Sequence, residues 1–275
     1  MSLAYPQNLI NQAGDFGVTV PMIDEGEGAK VVFLHGAPAH KGEWIHVIEL
    51  LKQDYHCLAP ELLGFGWSPE PPDWYDFSID TQVKFLDGWF NHNGGSEPFI
   101  LVTHDIGAIA GMAWASRHPN RVRGIIVMNT VLHSGFEWHS IARIWGSPIL
   151  GRLFMLILNR IAYRIAFTQD FPQVTREQID IMYDGLTPVA KRSLLKHYQK
   201  MTQPDYFSKW ESAFKEVVEK IPTTVLWGAQ DPLIDRKDAK RIGGNLIYLE
   251  DCGHWVPLEK PERVADEIRK MDKIV

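Results

Sequence analysis

The sequence predicts an α/β fold in which a mostly parallel central sheet carries helices on both faces. Three observations lead there. Short, continuous apolar runs recur along the chain, helical stretches separate them, and the alternation stops between His133 and Ile221, where only helices are read. Continuous rather than alternating apolarity is the pattern of parallel strands covered on both faces.

The apolar runs fall at 31–34, 56–59, 99–102, 122–128, 223–227 and 246–249, and most end at Gly, Pro, Asp or Asn. Residues 18–23 read as an earlier antiparallel strand, because only a short acidic Gly turn at 24–28 separates them from the next run. Helices are expected over 42–53, 78–92, 106–117, 236–241 and 261–270. In the long helical region, Thr175-Arg176-Glu177-Gln178 has the pattern of a capping box, and Thr187-Pro188 puts Pro at a first helical position. The plan is a core of residues 1–132 and 209–275, with a helical cap, 133–208, inserted after the sixth strand, the one that ends at Met128. Such an insertion sits over the edge of the sheet where open α/β folds place ligands.

Composition narrows the function classes. The 275 residues are 45% hydrophobic, enough for a sizeable core, which excludes a disordered or fibrous chain. A net charge of −6 supplies no basic field for nucleic acid. Cys57 and Cys252 make neither a disulfide framework nor a thiolate metal site. Residues 1–16 carry no Lys or Arg and no sustained apolar run, so no secretory leader is read there. The most apolar stretch, 141–167, is interrupted by Arg143, Arg152, Arg160 and Arg164, so no membrane span is expected. A soluble protein of enzyme size, cytoplasmic and monomer or homodimer, is the expectation.

Four segments at strand ends carry the polar chemistry: His35-Gly36-Ala37-Pro38, Thr103-His104-Asp105-Ile106-Gly107, Gly228-Ala229-Gln230-Asp231 and Cys252-Gly253-His254-Trp255. Each has an ordinary reading by itself. Asp105 suits a helix N-cap, Asp231-Pro232 opens a turn, and a single His254 is a structural residue. Together they run nucleophile, acid, histidine, the chain order of α/β-hydrolase triads.

On these residues the chain resembles the aspartate-nucleophile branch of the α/β-hydrolases, which contains epoxide hydrolases and haloalkane dehalogenases. The Thr103–Gly107 segment is similar to the Gly-His-Asp-x-Gly elbow of epoxide hydrolases, and His35-Gly36-Ala37-Pro38 to their His-Gly-x-Pro loop. Cys252-Gly253-His254-Trp255-Val256-Pro257 and Lys260-Pro261-Glu262 resemble their C-terminal histidine segment. The resemblance implies an α/β-hydrolase fold with a cap, no cofactor and no metal. It implies Asp105 as nucleophile, His254 as the base for water, Asp231 as its orienting acid, and the N–H groups of Ala37 and Ile106 as oxyanion hole. A carboxylate is anionic at pH 7 and attacks an sp³ carbon without a base, leaving an ester. The histidine is needed only when water attacks that ester.

The leaving group is narrowed by what flanks the elbow. Fluoroacetate-type dehalogenases carry Arg one and four residues after the nucleophile; here stand Ile106 and Ile109. Haloalkane dehalogenases usually place Trp directly after the nucleophile and Asn or Glu after His-Gly; here stand Ile106 and Ala37, and Trp138 or Trp145 of the cap is the alternative source of one halide contact, with packing as their plainer reading. Epoxide hydrolases use cap tyrosines to protonate the opening ring. Tyr198 lies about where the second of these falls, on a helix face with Leu194, Leu195 and Met201; a core tyrosine bonded to backbone is the alternative. For the first ring-opening residue, Tyr163, His133 and His139 are fallback candidates. Ile106, Ile109, Trp138, Trp145, Phe154 and Leu158 are candidate walls of a pocket for a small apolar substrate.

Other residues read more plainly. Thr103 stands where the family has Gly and adds bulk between strand and helix. His104 reads as a buried hydrogen-bonding residue and Glu61 as a loop-shaping one. The Arg-rich, acid-free segment 139–168 reads as a solvated helix face, with a dimer contact or membrane-surface stripe as alternatives. The leading expectation is epoxide opening to a diol. Carbon–halogen hydrolysis is the alternative within enzymes, and an idle hydrolase fold that binds a small apolar ligand is the alternative outside them.

Overall fold

The computed structural model describes residues 18–275, so the segment read as lacking a leader, 1–16, lies outside the described residues. Among these residues one sheet forms from β1 (Met22–Glu25), β2 (Ala29–Leu34), β3 (Tyr55–Pro60), β4 (Phe99–His104), β5 (Val122–Met128), β6 (Thr223–Gly228) and β7 (Asn245–Leu249). Their order is β1-β3-β2-β4-β5-β6-β7, and all neighbours are parallel except β1 and β3. Two details differ from the sequence reading. The turn at 24–28 closes no hairpin, because β3 lies between β1 and β2 and pairs Met22 with Pro60. The strand ending at Met128 is the fifth among the described residues rather than the sixth.

The helices are α1 (Ile45–Leu51), α2 (Ile79–Asn93), α3 (Ile106–Arg117), α4 (Ser140–Gly146), α5 (Leu150–Ile157), α6 (Arg160–Asp170), α7 (Arg176–Asp184), α8 (Pro188–Met201), α9 (Glu211–Lys220), α10 (Arg236–Ile242), α11 (Val256–Glu259) and α12 (Pro261–Ile274). Alternate strand residues feed opposite layers, which is why the strands read as continuous apolar runs. Val32 and Leu34 join the core built with Phe90 of α2, Trp114 of α3 and Phe214 of α9. Val31 and Phe33 join the other, with Val47 and Leu51 of α1 and Ile268 of α12.

Between β5 and β6 the chain leaves the sheet for α4 to α8. Thr175 and Gln178 form the capping box that starts α7, and the Thr187 side chain caps α8 ahead of Pro188. Tyr163, Phe167, Phe171 and Met182 of this insertion pack on Ala39, Trp255 and Leu258 of the core. The insertion is thereby seated over the loops that follow β2 and β7. Helix α9 packs against α3 and belongs to the layered core. No described helix is long and apolar enough to cross a membrane, and Cys57 and Cys252 are free and buried.

The closest approach of strand and helix occurs at Gly107. A Cβ there would stand 2.6 Å from the His35 backbone oxygen and nearer still to that of Leu34. Backbone cannot swing aside as a side chain can. Gly107→Ala is therefore expected to cost about 1–3 kcal/mol, as overpacked cores do, read as a lowered urea midpoint.

Candidate active site

The parallel register brings the functional loops to one edge. Leu34 aligns with Thr103, His104 with Met128, and Met128 with Leu226, so the turns after β2, β4, β5 and β6 leave the sheet side by side. Asp105 is the turn between β4 and α3. Its φ of +48° and ψ of −121° lie where non-glycine residues rarely go. Such strain persists only where neighbours over-determine the conformation. Here the Asp105 N–H donates to Met128 O at 3.2 Å, and Thr130 Oγ1 donates to Asp105 O at 2.7 Å.

The Asp105 side chain is aimed by the loop after β2: the Ala37 N–H donates to its Oδ2 at 2.9 Å. That loop is held from below. The Gly36 N–H donates to Glu43 Oε1 at 3.1 Å, Glu43 faces His104 Nδ1 at 3.3 Å, and His104 Nε2 donates to the His254 carbonyl oxygen at 3.0 Å. Burial pushes Glu43 above the usual carboxylate range, against the opposing pull of His104. The bulk of Thr103 is accommodated at Gly111, where a Cβ would meet the Thr103 methyl at 2.9 Å, while Thr103 Oγ1 donates to Ile126 O at 3.1 Å.

His254 and Asp231 meet on neighbouring loops, and His254 Nδ1 lies 2.8 Å from Asp231 Oδ2. Asp231 also accepts from Asn129 Nδ2 at 2.7 Å and from the N–H groups of Leu233 and Ile234 at 2.7 and 3.1 Å. Burial alone would raise Asp231, but His254 and these donors together hold it below its ordinary value. Burial alone would lower His254; the charge and hydrogen bond of Asp231, then the charges of Asp105 and Glu43, outweigh it and raise the imidazole to about 9.

Two cavities meet above these groups. The inner one is lined by Asp105, His254, Ile109, Trp138, His139 and Tyr198 among others. The outer one is lined by Trp145, Phe154 and Leu158 and shares Ala37, His139, Tyr198 and Leu233 with the inner one. The predicted walls thus divide: Trp138 and Ile109 stand beside Asp105, whereas Trp145, Phe154 and Leu158 line the approach. Ile106, also read as a wall, is buried at the start of α3 and lines neither cavity.

Tyr198 lines both cavities, its ring against those of Trp138 and Trp145. Its hydroxyl makes no hydrogen bond among the described residues, so the alternative of a backbone-bonded core tyrosine does not hold. Burial and then the Asp105 charge keep it protonated, well above its ordinary range. The fallback candidates separate clearly. His133 bonds Asp238 at 3.1 Å and lines a different cavity, and the Tyr163 hydroxyl donates to Pro38 O at 3.4 Å in the outer cavity. His139 alone of the three lines the cavity with Asp105. Its Nδ1 accepts the Ala142 N–H at the start of α4, so the neutral ring carries its proton on Nε2. Burial and then the His254 charge lower His139 to about 4, so it is neutral at pH 7.

Sequence reasoning missed Asn129, Thr130 and Glu43. Asn129 and Thr130 directly follow β5, at the same edge as the other loops, and that position was the available signal. Glu43 lies in a helical turn whose sequence carries none. No cluster of metal-ligand side chains occurs among the described residues.

Residues 30–261 match the family described as alpha/beta hydrolase fold. The chain belongs to the α/β-hydrolase family. This hydrolase is 25% identical to the cis-3-alkyl-4-alkyloxetan-2-one decarboxylase of Shewanella oneidensis, over 90% of this chain and 83% of that one. It is 24% identical to epoxide hydrolase 3 of Mus musculus, over 87% and 69% of the two chains. An ancestral haloalkane dehalogenase structure superposes with a TM-score of 0.78 at 24% identity, covering 93% and 97% of the chains.

The charge state of His254 has a stability consequence. Its ordinary value of 6.5 rises to about 9 in the folded hydrolase, so the contribution is fully present below pH 6.5 and is lost as pH rises through about 9. Wild type should lose up to about 3 kcal/mol of unfolding free energy across that window. His254→Gln should lack this component. Urea titrations from pH 6 to 10 check it.

Proposed function

We propose that the hydrolase opens epoxides to diols through an ester on Asp105. The observation that carries this reading is one cavity lined by Asp105, His254, Tyr198 and His139: a carboxylate, a base and two neutral proton-bearing groups. With Oδ2 resting on the Ala37 N–H, the other oxygen of Asp105 attacks a ring carbon. A C–O bond forms, the ring C–O bond breaks, and the leaving alkoxide takes a proton from Tyr198 while His139 Nε2 donates it a hydrogen bond. His254, having first released its own proton to solvent, then removes a proton from water, which adds to the ester carbonyl carbon. The charge that develops falls on Oδ2, where the Ala37 N–H, joined by that of Ile106, stabilises it. Collapse releases the diol: the proton on His254 goes to its departing oxygen, and the proton left on the regenerated Asp105 carboxyl restores Tyr198. The cap reading, 133–208, fits this scheme, since α4 and α8 supply His139 and Tyr198.

Alkylation itself prepares the second step. The negative charge of Asp105 is one of the interactions that raise His254. Forming a neutral ester removes it, so the imidazole becomes easier to deprotonate once there is an ester to hydrolyse.

Oxygen as leaving group is favoured over halide because an alkoxide needs a proton and a halide does not. Ala37 and Ile106 bring no side-chain donor to hold a halide; Trp138 beside Asp105 and Trp145, whose buried indole N–H has no partner among the described residues, are the groups that would. A second reading is supported by similarity to the oxetan-2-one decarboxylase over most of the chain: the same attack on a four-membered lactone, with carbon dioxide and an alkene as products. Product analysis separates diol from alkene.

With His254→Gln and an alkyl or aryl epoxide, intact-protein mass spectrometry should register one added substrate mass, mapping to Asp105. An ester formed from haloalkanes but from no epoxide would sink the epoxide reading. Tyr198→Phe should slow epoxide alkylation about a hundredfold, by analogy with loss of one oxyanion donor, while ester hydrolysis keeps its rate. Stopped-flow kinetics on both half-reactions measure the split.

A further inference from the structure

The large apolar side chains that the insertion leaves exposed all fall within residues 149–165. Leu150, Leu153, Leu156 and Ile157 on α5, with Ile161 and Ile165 on α6, are between 55% and 81% exposed. The opposite sides of the same helices are used inside: Phe154 of α5 and Tyr163 and Phe167 of α6 line the outer cavity, as does Leu158 between them. Ala166 and Asp170 line that cavity too and are themselves exposed, so it reaches the surface along α6, beside Ile165. An apolar face of this size on two adjacent helices is unlike scattered surface hydrophobes and marks a contact.

We propose that this face lies on the surface of an anionic lipid bilayer and that the outer cavity opens toward it. Charge chooses the occupant. The hydrolase carries a net charge of −6, yet 139–168 holds four Arg and no Asp or Glu. Arg160 and Arg164 are paired with Asp180 and Asp184 of α7. Arg143 and Arg152 are exposed and pair with no carboxylate among the described residues. Arg152 stands on α5 within the apolar face. A two-fold contact with a second copy is self-complementary, so it would bring this basic segment against itself. It would also bury the cavity mouth. Anionic headgroups instead neutralise the arginines while the aliphatic side chains enter the acyl boundary, the arrangement of an amphipathic interfacial helix. At eight residues α5 is by itself too short to span a bilayer. Asp170, the carboxylate at the mouth, stands beyond Ile165 at the far end of α6.

The role is delivery. An apolar substrate partitions into lipid, and a mouth resting on that phase takes it up without first passing it through water. The inference does not depend on which ring or leaving group the inner cavity handles.

The test is flotation of the full-length protein with vesicles of phosphatidylcholine plus phosphatidylglycerol, and with vesicles of phosphatidylcholine alone. Wild type should float with the first far more than the second, and raised salt should weaken it. Leu156→Asn/Ile161→Asn/Ile165→Asn should lower partitioning tenfold or more, and Arg152→Gln about fivefold. None of these residues lines either cavity. Melting curves check folding of the triple variant; should it not fold, Arg152→Gln and the salt series still decide. Wild type that floats with neither vesicle, or equally with both, overturns the proposal. So does a wild-type dimer in sedimentation that the triple variant converts to monomer, because a second copy would then cover the face.

Discussion

The backbone of Asp105 is the constraint around which the rest is arranged. A positive φ at a non-glycine residue is costly, of order 1–3 kcal/mol, and it turns the chain from β4 into α3 within a single residue. That sharpness lifts the carboxylate off the sheet edge and leaves α3 pressed on β2, which is why position 107 has no room for a side chain. The hydrogen bonds from Asp105 to Met128 and from Thr130 to Asp105 hold the turn from the next strand. Thr103, unusual in such an elbow, is absorbed at Gly111 without displacing it.

A second dependence is electrostatic. Asp105, Asp231 and Glu43 all bear on one buried imidazole, which they raise against its desolvation. Asp231 is held down by four donors and so serves as a fixed negative partner, while Glu43 is pushed up by burial and supports the Ala37 loop through Gly36. The balance shifts when any one charge changes. In the proposed reaction Asp105 is the group whose charge changes, so formation of the ester is communicated to His254 through space, with no moving part.

The insertion divides its residues by helix face. Inward sides of α4, α5, α6 and α8 give an apolar approach and, at its inner end, two neutral proton-bearing groups near Asp105. Outward sides of α5 and α6 are apolar as well. One pair of short helices thus serves both the wall of the approach and the surface around its mouth.

The sequence by itself determined the sheet and its loops, because both rest on local signals. Parallel strands buried on two faces read as continuous apolar runs, and β2 to β7 lie where those runs are. Asp105, Asp231 and His254 follow strand ends, so their convergence is implied once the strands are parallel. Capping at Thr175 and Thr187 was legible for the same reason, since a cap is a matter of residues three positions apart. Tertiary structure decided whatever depends on partners distant in sequence. The pairing of β1 with β3 is a choice between neighbours that composition does not distinguish. Whether Tyr198 is bonded or free, and which of Tyr163, His133 and His139 looks onto Asp105, depends on how helices of the insertion rotate over the core. That rotation is set by packing of Tyr163, Phe167 and Phe171 against Trp255 and Leu258, residues about ninety positions further along the chain.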